Sequence, residues 1–218
     1  MQSWSVDDAW KTPQLWVLWV MLLMNVTAGI GLLSQASPMS QDFFPTRITA
    51  VVAGGFVGLL SIANMSGRFI WSSFSDIIGR KGTYLVFFLL GPLLYIALPA
   101  SGRLQSVPLF VVCCFLILTM YGGGFATIPA YLRDLFGTRQ VGAIHGRLLT
   151  AWSTAGVLGP ALVSYIGKYQ TDRGVPKAHQ YDLTLYIMAG LLLVGLICDL
   201  LVRPVDAKYH DVASPDRA

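Results

Sequence analysis

Arg68 is the residue whose placement most plainly asks for chemistry. It is a guanidinium inside a long apolar run, residues 48–74, that closes at the charged turn Asp76-Ile77-Ile78-Gly79-Arg80-Lys81. A guanidinium keeps its charge at any working pH and offers a planar fork of donors that fits a carboxylate bidentately. Eight residues separate it from Asp76, which is about 12 Å of helix, so it lies within the run and not at its edge. An ionisable group at that depth marks a functional site unless it pairs with a protein acid or stretches its stem to the surface. Neutral polar and aromatic side chains on other runs could complete such a site: Asn25, Thr27, Gln35, Asn64, Tyr121, Trp152 and Ser153. Each has an alternative role as an interhelical hydrogen bond or packing residue.

The elements that position these residues are membrane helices. Of 218 residues, 55% are hydrophobic and 12% charged, with a mean hydropathy of +0.62, whereas soluble domains carry about 25% charge. Six apolar runs, 15–33, 48–74, 84–100, 108–131, 148–165 and 183–202, are each near the ~20 residues that cross a bilayer. The expected fold is therefore all-α: a polytopic, integral membrane protein of six transmembrane helices, with a polar cytoplasmic linker over 1–14, the six-helix unit over 15–203 and a cytoplasmic tail over 204–218, expected to be disordered. The polar stretch 34–41 is expected to end the first helix, and Ser101-Gly102-Arg103 to form a turn. Gly122-Gly123-Gly124 reads as a helix crossing ahead of a ligand contact.

Lysines and arginines divide nine against five between the two sets of loops, Arg68 aside. This bias places both termini and the 76–81 turn in the cytoplasm. It also accounts for the net charge of +4, since no dense basic patch points to nucleic acid. Cys113, Cys114 and Cys198 lie in apolar runs without C-x-x-C spacing, so they read as packing residues, and no metal or cofactor is expected. The opening MQSWSVDDAW is acidic and polar, unlike a secretory signal. An intramembrane hydrolase would need a nucleophile with a partner in the bilayer; no histidine falls within these runs, and no Gly-x-Ser-x-Gly elbow occurs. Asp199, four residues before Arg203, is expected to form a local ion pair with it ahead of the alternative, a proton relay.

Six spans with this charged turn between the second and third resemble one half of a major facilitator superfamily transporter, whose loop reads Gly-x-x-x-Asp-Arg-x-Gly-Arg-Lys. Here Ser72 stands for the leading glycine and Ile77 for an arginine, a weakening more typical of the second half, so the likeness is to spans seven to twelve. The stretches KTPQLWVLWVMLLMNVTAGIGLLSQASPM, NMSGRFIWSSFSDIIGRK and LRDLFGTRQVGAIHGRLLTAWSTAGVLGP resemble the oxalate/formate antiporter family, a branch that includes monocarboxylate carriers.

The resemblance implies alternating access by a twelve-helix body whose two halves rock about a central site. The cargo would be a small organic anion, and the partners a lipid bilayer and a complementary six-helix N-terminal half; the alternative is a truncated, non-transporting fragment or scaffold. It also implies that Arg68, through the pair Gly67-Arg68, stands where these carriers hold a substrate carboxylate. They use a lysine on the fifth helix as well, but residues 148–167 contain no Lys or Arg. That departure favours formate, lactate or pyruvate over oxalate. Asp76, Gly79, Arg80 and Lys81, joined by Asp134, Arg133 and Arg139, would act as a conformational switch. The family's partners for this loop lie largely in the opposite half, so an isolated half is expected to leave it unengaged, and a simple solvated turn is the alternative.

Overall fold

The computed structural model describes residues 4–205; the remaining tail residues, with Lys208, His210 and Arg217, lie outside the described residues. Eight α-helices follow one another: α1 (Val6–Lys11), α2 (Pro13–Phe43), α3 (Ala50–Ile78), α4 (Arg80–Arg103), α5 (Val107–Phe136), α6 (Val141–Leu148), α7 (Thr150–Asp172) and α8 (Asp182–Leu201), with a short 3₁₀ turn at Lys177–His179 before the last. No strand occurs among the described residues. By length and composition six helical units can cross a membrane: α2, α3, α4, α5, α6 with α7, and α8 with the turn before it. Helix starts follow their local chemistry. The hydroxyls of Ser5, Thr12, Thr49 and Ser106 each accept from the backbone N–H three residues on, which satisfies one of the first-turn donors that a helix leaves open.

Most helices outrun their apolar stretches. The polar stretch 34–41 does not end the first spanning helix: Ser34, Ser40 and Gln41 bond back to carbonyls of their own helix, and the helix runs on through Pro38, whose missing N–H removes one backbone hydrogen bond. Ser101, Gly102 and Arg103 are likewise helical, and the chain turns two residues later at Gln105. Only Gly79 separates α3 from α4; its φ of 82° is a region that glycine enters without a steric penalty. The linker before α2 is also built: Ser5 and Asp8 cap α1 reciprocally, and α1 is tied down by Trp4 N–H to the Phe136 carbonyl, Val6 N–H to Gln140 Oε1, and Arg147 to Asp7 at 3.0 Å. At the other terminus the expected Asp199–Arg203 ion pair is not formed. Helix α8 stops at Leu201, which carries Arg203 off the helical register that would have paired them.

Helices α2 and α5 form the centre, with 61% of their central residues buried, against 28% for α3 and for the α6–α7 unit. Helix α3 packs chiefly on α5, α4 on α8, and α2 against both α7 and α8. The outer pair touches the bundle by narrow stripes: Ala53, Phe56, Leu60, Ala63 and Gly67 on α3, and Ala151, Ala155, Gly159 and Val163 on α7. In a bilayer apolar burial does not drive helices together, so close packing and hydrogen bonds must. Both are present. Tyr84 donates to the Gly124 carbonyl and Tyr95 to the Ala28 carbonyl, each at 2.7 Å, locking α4 onto α5 and onto α2. The α3–α5 crossing is built on glycine: a β-carbon on Gly67 would sit 2.1 Å from the Thr119 carbonyl oxygen, and one on Gly122 would sit 2.0 Å from that of Asn64. The glycine triplet is thus a crossing.

Candidate functional site

That crossing sets Arg68 against α5. Its neighbour Gly67 lets the two backbones meet, and the guanidinium carbon then lies over the Phe125 ring, 5.9 Å from its centroid. Among the described residues Arg68 takes part in no ion pair and no side-chain hydrogen bond, and it is exposed on the bundle's flank. The acid that might have claimed it is not there.

Phe125 is the hub. Its ring meets Tyr121 edge-on at 5.1 Å and Trp152 of α7 at 5.1 Å. Tyr121 in turn packs on Gly29 of α2, where a β-carbon would fall 2.2 Å from the ring, and its hydroxyl is within electrostatic reach of Arg68 and beside Trp152. Three of the residues singled out from sequence, Arg68, Tyr121 and Trp152, therefore meet around a fourth that was not. Tyr121 and Phe125 share a helix face at i,i+4, a signal that could have found Phe125. A lone phenylalanine in an apolar run does not stand out.

Two amides lie behind this cluster. Asn64, one turn before Arg68, rests against Gly122, and Asn25 has its Nδ2 turned to Gly124. Asn64 Oδ1 and Asn25 Nδ2 are both buried without a hydrogen-bond partner, an unusual condition that water or a ligand relieves. Thr27 Oγ1 is also buried and unpartnered, while Ser153 is exposed next to Trp152. Gln35 stands apart. It is ten residues past Asn25, about 15 Å along α2, and lines separate cavities with Tyr181 and Thr184. The arrangement offers one cation, aromatic walls and a few polar groups, which together can hold a small anion with an apolar body.

The charged turn is engaged within the chain, contrary to the expectation of an idle loop. Arg80 reaches Asp76 at 2.5 Å and Asp134 of α5 at 3.5 Å, and it also donates to the Ser75 hydroxyl. Lys81 donates to the carbonyls of Val202 at 2.7 Å and Leu200 at 3.3 Å, where the open end of α8 attracts a cation. Arg133 comes to 3.8 Å from Asp134, whereas Arg139 is exposed and joins no ion pair among the described residues. His145, expected before the fifth span, lies inside α6 with Nδ1 buried and unpartnered. Among the described residues no three His, Cys, Asp or Glu side chains are grouped to hold a metal.

Comparison with known proteins gives this geometry its context. The family model for the Major Facilitator Superfamily matches residues 18–218. The oxalate:formate antiporter of Oxalobacter formigenes is 28% identical over 70% of this chain and 35% of its own length. An uncharacterized MFS-type transporter of Escherichia coli, YhjX, is 26% identical over 66% of this chain and 35% of its own. The apicoplast pyruvate carrier 2 of Toxoplasma gondii is 32% identical over 51% of this chain and 16% of its own. The matches thus span about a third or less of the length of these relatives.

Proposed function

The chain belongs to the Major Facilitator Superfamily, and from that premise we propose that it forms spans seven to twelve of a twelve-helix carrier that moves small carboxylates by alternating access. The observation that carries this reading is Arg68, a cation on a membrane helix with no acid paired to it among the described residues. A fixed charge there is costly to keep, and an anionic cargo is the partner that would use it. The bidentate fork grips the carboxylate, and the Phe125, Tyr121 and Trp152 rings flank the apolar body.

Several observations support the rest. Two relatives are named for small carboxylates, an oxalate:formate antiporter and a pyruvate carrier. One fixed cation and no Lys or Arg between residues 148 and 167 suit a monoanion such as formate, lactate or pyruvate. The under-packed flanks of α3 and α7, which border the Arg68 cluster, are where a complementary six-helix half would cover it. On this reading the turn 76–81 faces the cytoplasm with both termini, and the Arg80–Asp134 ion pair acts as a latch on conformation.

Uptake of labelled formate, lactate and oxalate into lipid vesicles tests this. The chain together with a six-helix N-terminal half takes up the monocarboxylates, and Arg68→Gln abolishes uptake while Arg68→Lys retains part of it. Unchanged uptake in both variants would show that Arg68 does not hold the cargo; failure of every pairing to transport favours a non-transporting fragment.

A further inference from the structure

A second ionisable group lies in the membrane part of the fold, away from the Arg68 cluster. Asp199 is fully buried in the last turn of α8, and neither carboxylate oxygen has a hydrogen-bond partner. Its expected partner, Arg203, is beyond the helix end. Within electrostatic reach of it, though none close enough to hydrogen-bond it, are Lys81 and Tyr84 of α4 and Tyr131 of α5. The other helices packed on α8 add none, since α2 has only Asp42, and α7 only Tyr165, Lys168, Tyr169 and Asp172, all toward their opposite ends.

Of these three groups, two are otherwise occupied. The Tyr84 hydroxyl donates to the Gly124 carbonyl, and the Lys81 ammonium is spent on the Leu200 and Val202 carbonyls, at the end of the very helix that carries Asp199. Tyr131 is different, because its hydroxyl is buried without any partner. A carboxylate stripped of water, donors and counter-ion is too costly to persist, and such a group takes up a proton instead. An acid held only to fasten the fold would have been given a partner.

We propose that Asp199 is a proton-binding site that couples the conformational cycle to proton movement. It holds a proton while Lys81 clasps the end of α8. When α4 and α8 part and water enters, the carboxyl O–H bond breaks, the proton passes to that water, and Lys81 leaves the carbonyls to pair with the carboxylate. No other reactant is needed. The coupling rests on the carrier reading above; the proton site itself does not.

The test therefore begins with a readout that needs no transport. Infrared spectra of the full chain in lipid vesicles, recorded through a pH titration, show a buried carboxylic C=O band at neutral pH that is lost in Asp199→Asn and kept in Asp199→Glu. Circular dichroism confirms that both variants are folded. A spectrum that Asp199→Asn leaves unchanged overturns the site, whatever the chain transports. In vesicles holding the complete carrier, an inward acid gradient accelerates carboxylate uptake by the wild type, while Asp199→Asn exchanges carboxylate without responding to the gradient. An equal response in both would overturn the coupling and leave the carboxylate-carrier reading standing.

Discussion

Two arginines twelve positions apart in the α3–α4 hairpin are treated in opposite ways by the fold. Arg80, at the end of the membrane part, is given three acceptors: Asp76, Asp134 and the Ser75 hydroxyl. Arg68, deeper in, is given an aromatic face and nothing negative. The side chain of Arg80 is only 13% exposed, so it has given up most of its water and needs these partners. Arg68 stays exposed on the bundle's flank and has no ion-pair partner among the described residues. The contrast separates a charge spent on holding helices from a charge left unspent.

The sharpest way to break the contrast is to neutralise each arginine in turn. Arg68→Gln should weaken carboxylate binding by the complete carrier about tenfold to about 150-fold, the equivalent of the ~1.5–3 kcal/mol of a hydrogen bond to a charged group, and leave the melting temperature unchanged. A lowered melting temperature with intact binding would place Arg68 with Arg80 as a structural charge. Next in size is the crossing that presents Arg68. Gly122→Ala sets a methyl 2.0 Å from the Asn64 carbonyl oxygen, and such overpacking costs ~1–3 kcal/mol. Thermal unfolding in detergent reads that loss, and binding should fall with it as Arg68 is pushed off Phe125.

Phe125→Leu keeps the volume but removes the ring beneath the guanidinium, a contact of ~0.5–1 kcal/mol. Carboxylate affinity should drop only a few-fold, as isothermal titration would show. Arg80→Gln should cost about 1 kcal/mol, because the arginine is largely buried while its partners Asp76 and Asp134 are 67% and 44% exposed, which screens the pairs. Its effect should appear as a small loss of stability that shrinks with added salt, together with a changed rate of interconversion. Arg139→Gln is the control, within ~0.5 kcal/mol of wild type in every assay, since that side chain joins no ion pair.

Much of this was legible in the residues alone. Six apolar runs foretold six spanning units because bilayer thickness sets their length, and Gly122-Gly123-Gly124 foretold a close crossing because only glycine lets backbones meet. Helix ends were less legible: the apolar run marks only the lipid-facing part, and a helix continues past it through polar residues such as Ser40 and Gln41. Helix α1 was overlooked although Ser5 and Asp8 carry a capping pattern. At the site, Arg68, Tyr121 and Trp152 announced themselves by type, and the structure gathers them. Phe125 did not, since its role comes from what surrounds it. Gln35 looked equivalent to Asn25 on the same helix but lies too far along the axis to join it. The Lys81 contact to α8 depends on helices distant in sequence meeting at one end, which spacing within a segment does not reveal.

The lone glycine between α3 and α4 has a mechanical consequence. With a single flexible residue joining two rigid rods, Gly79 is a fulcrum, and α3, with 29 residues, is a lever about 43 Å long, so a tilt of about 10° at the fulcrum sweeps its far tip through about 7 Å. Arg68, roughly a third of the way along, would travel only about 2–3 Å in the same stroke. The geometry thus delivers a wide swing at the far end of α3 with little displacement at Arg68.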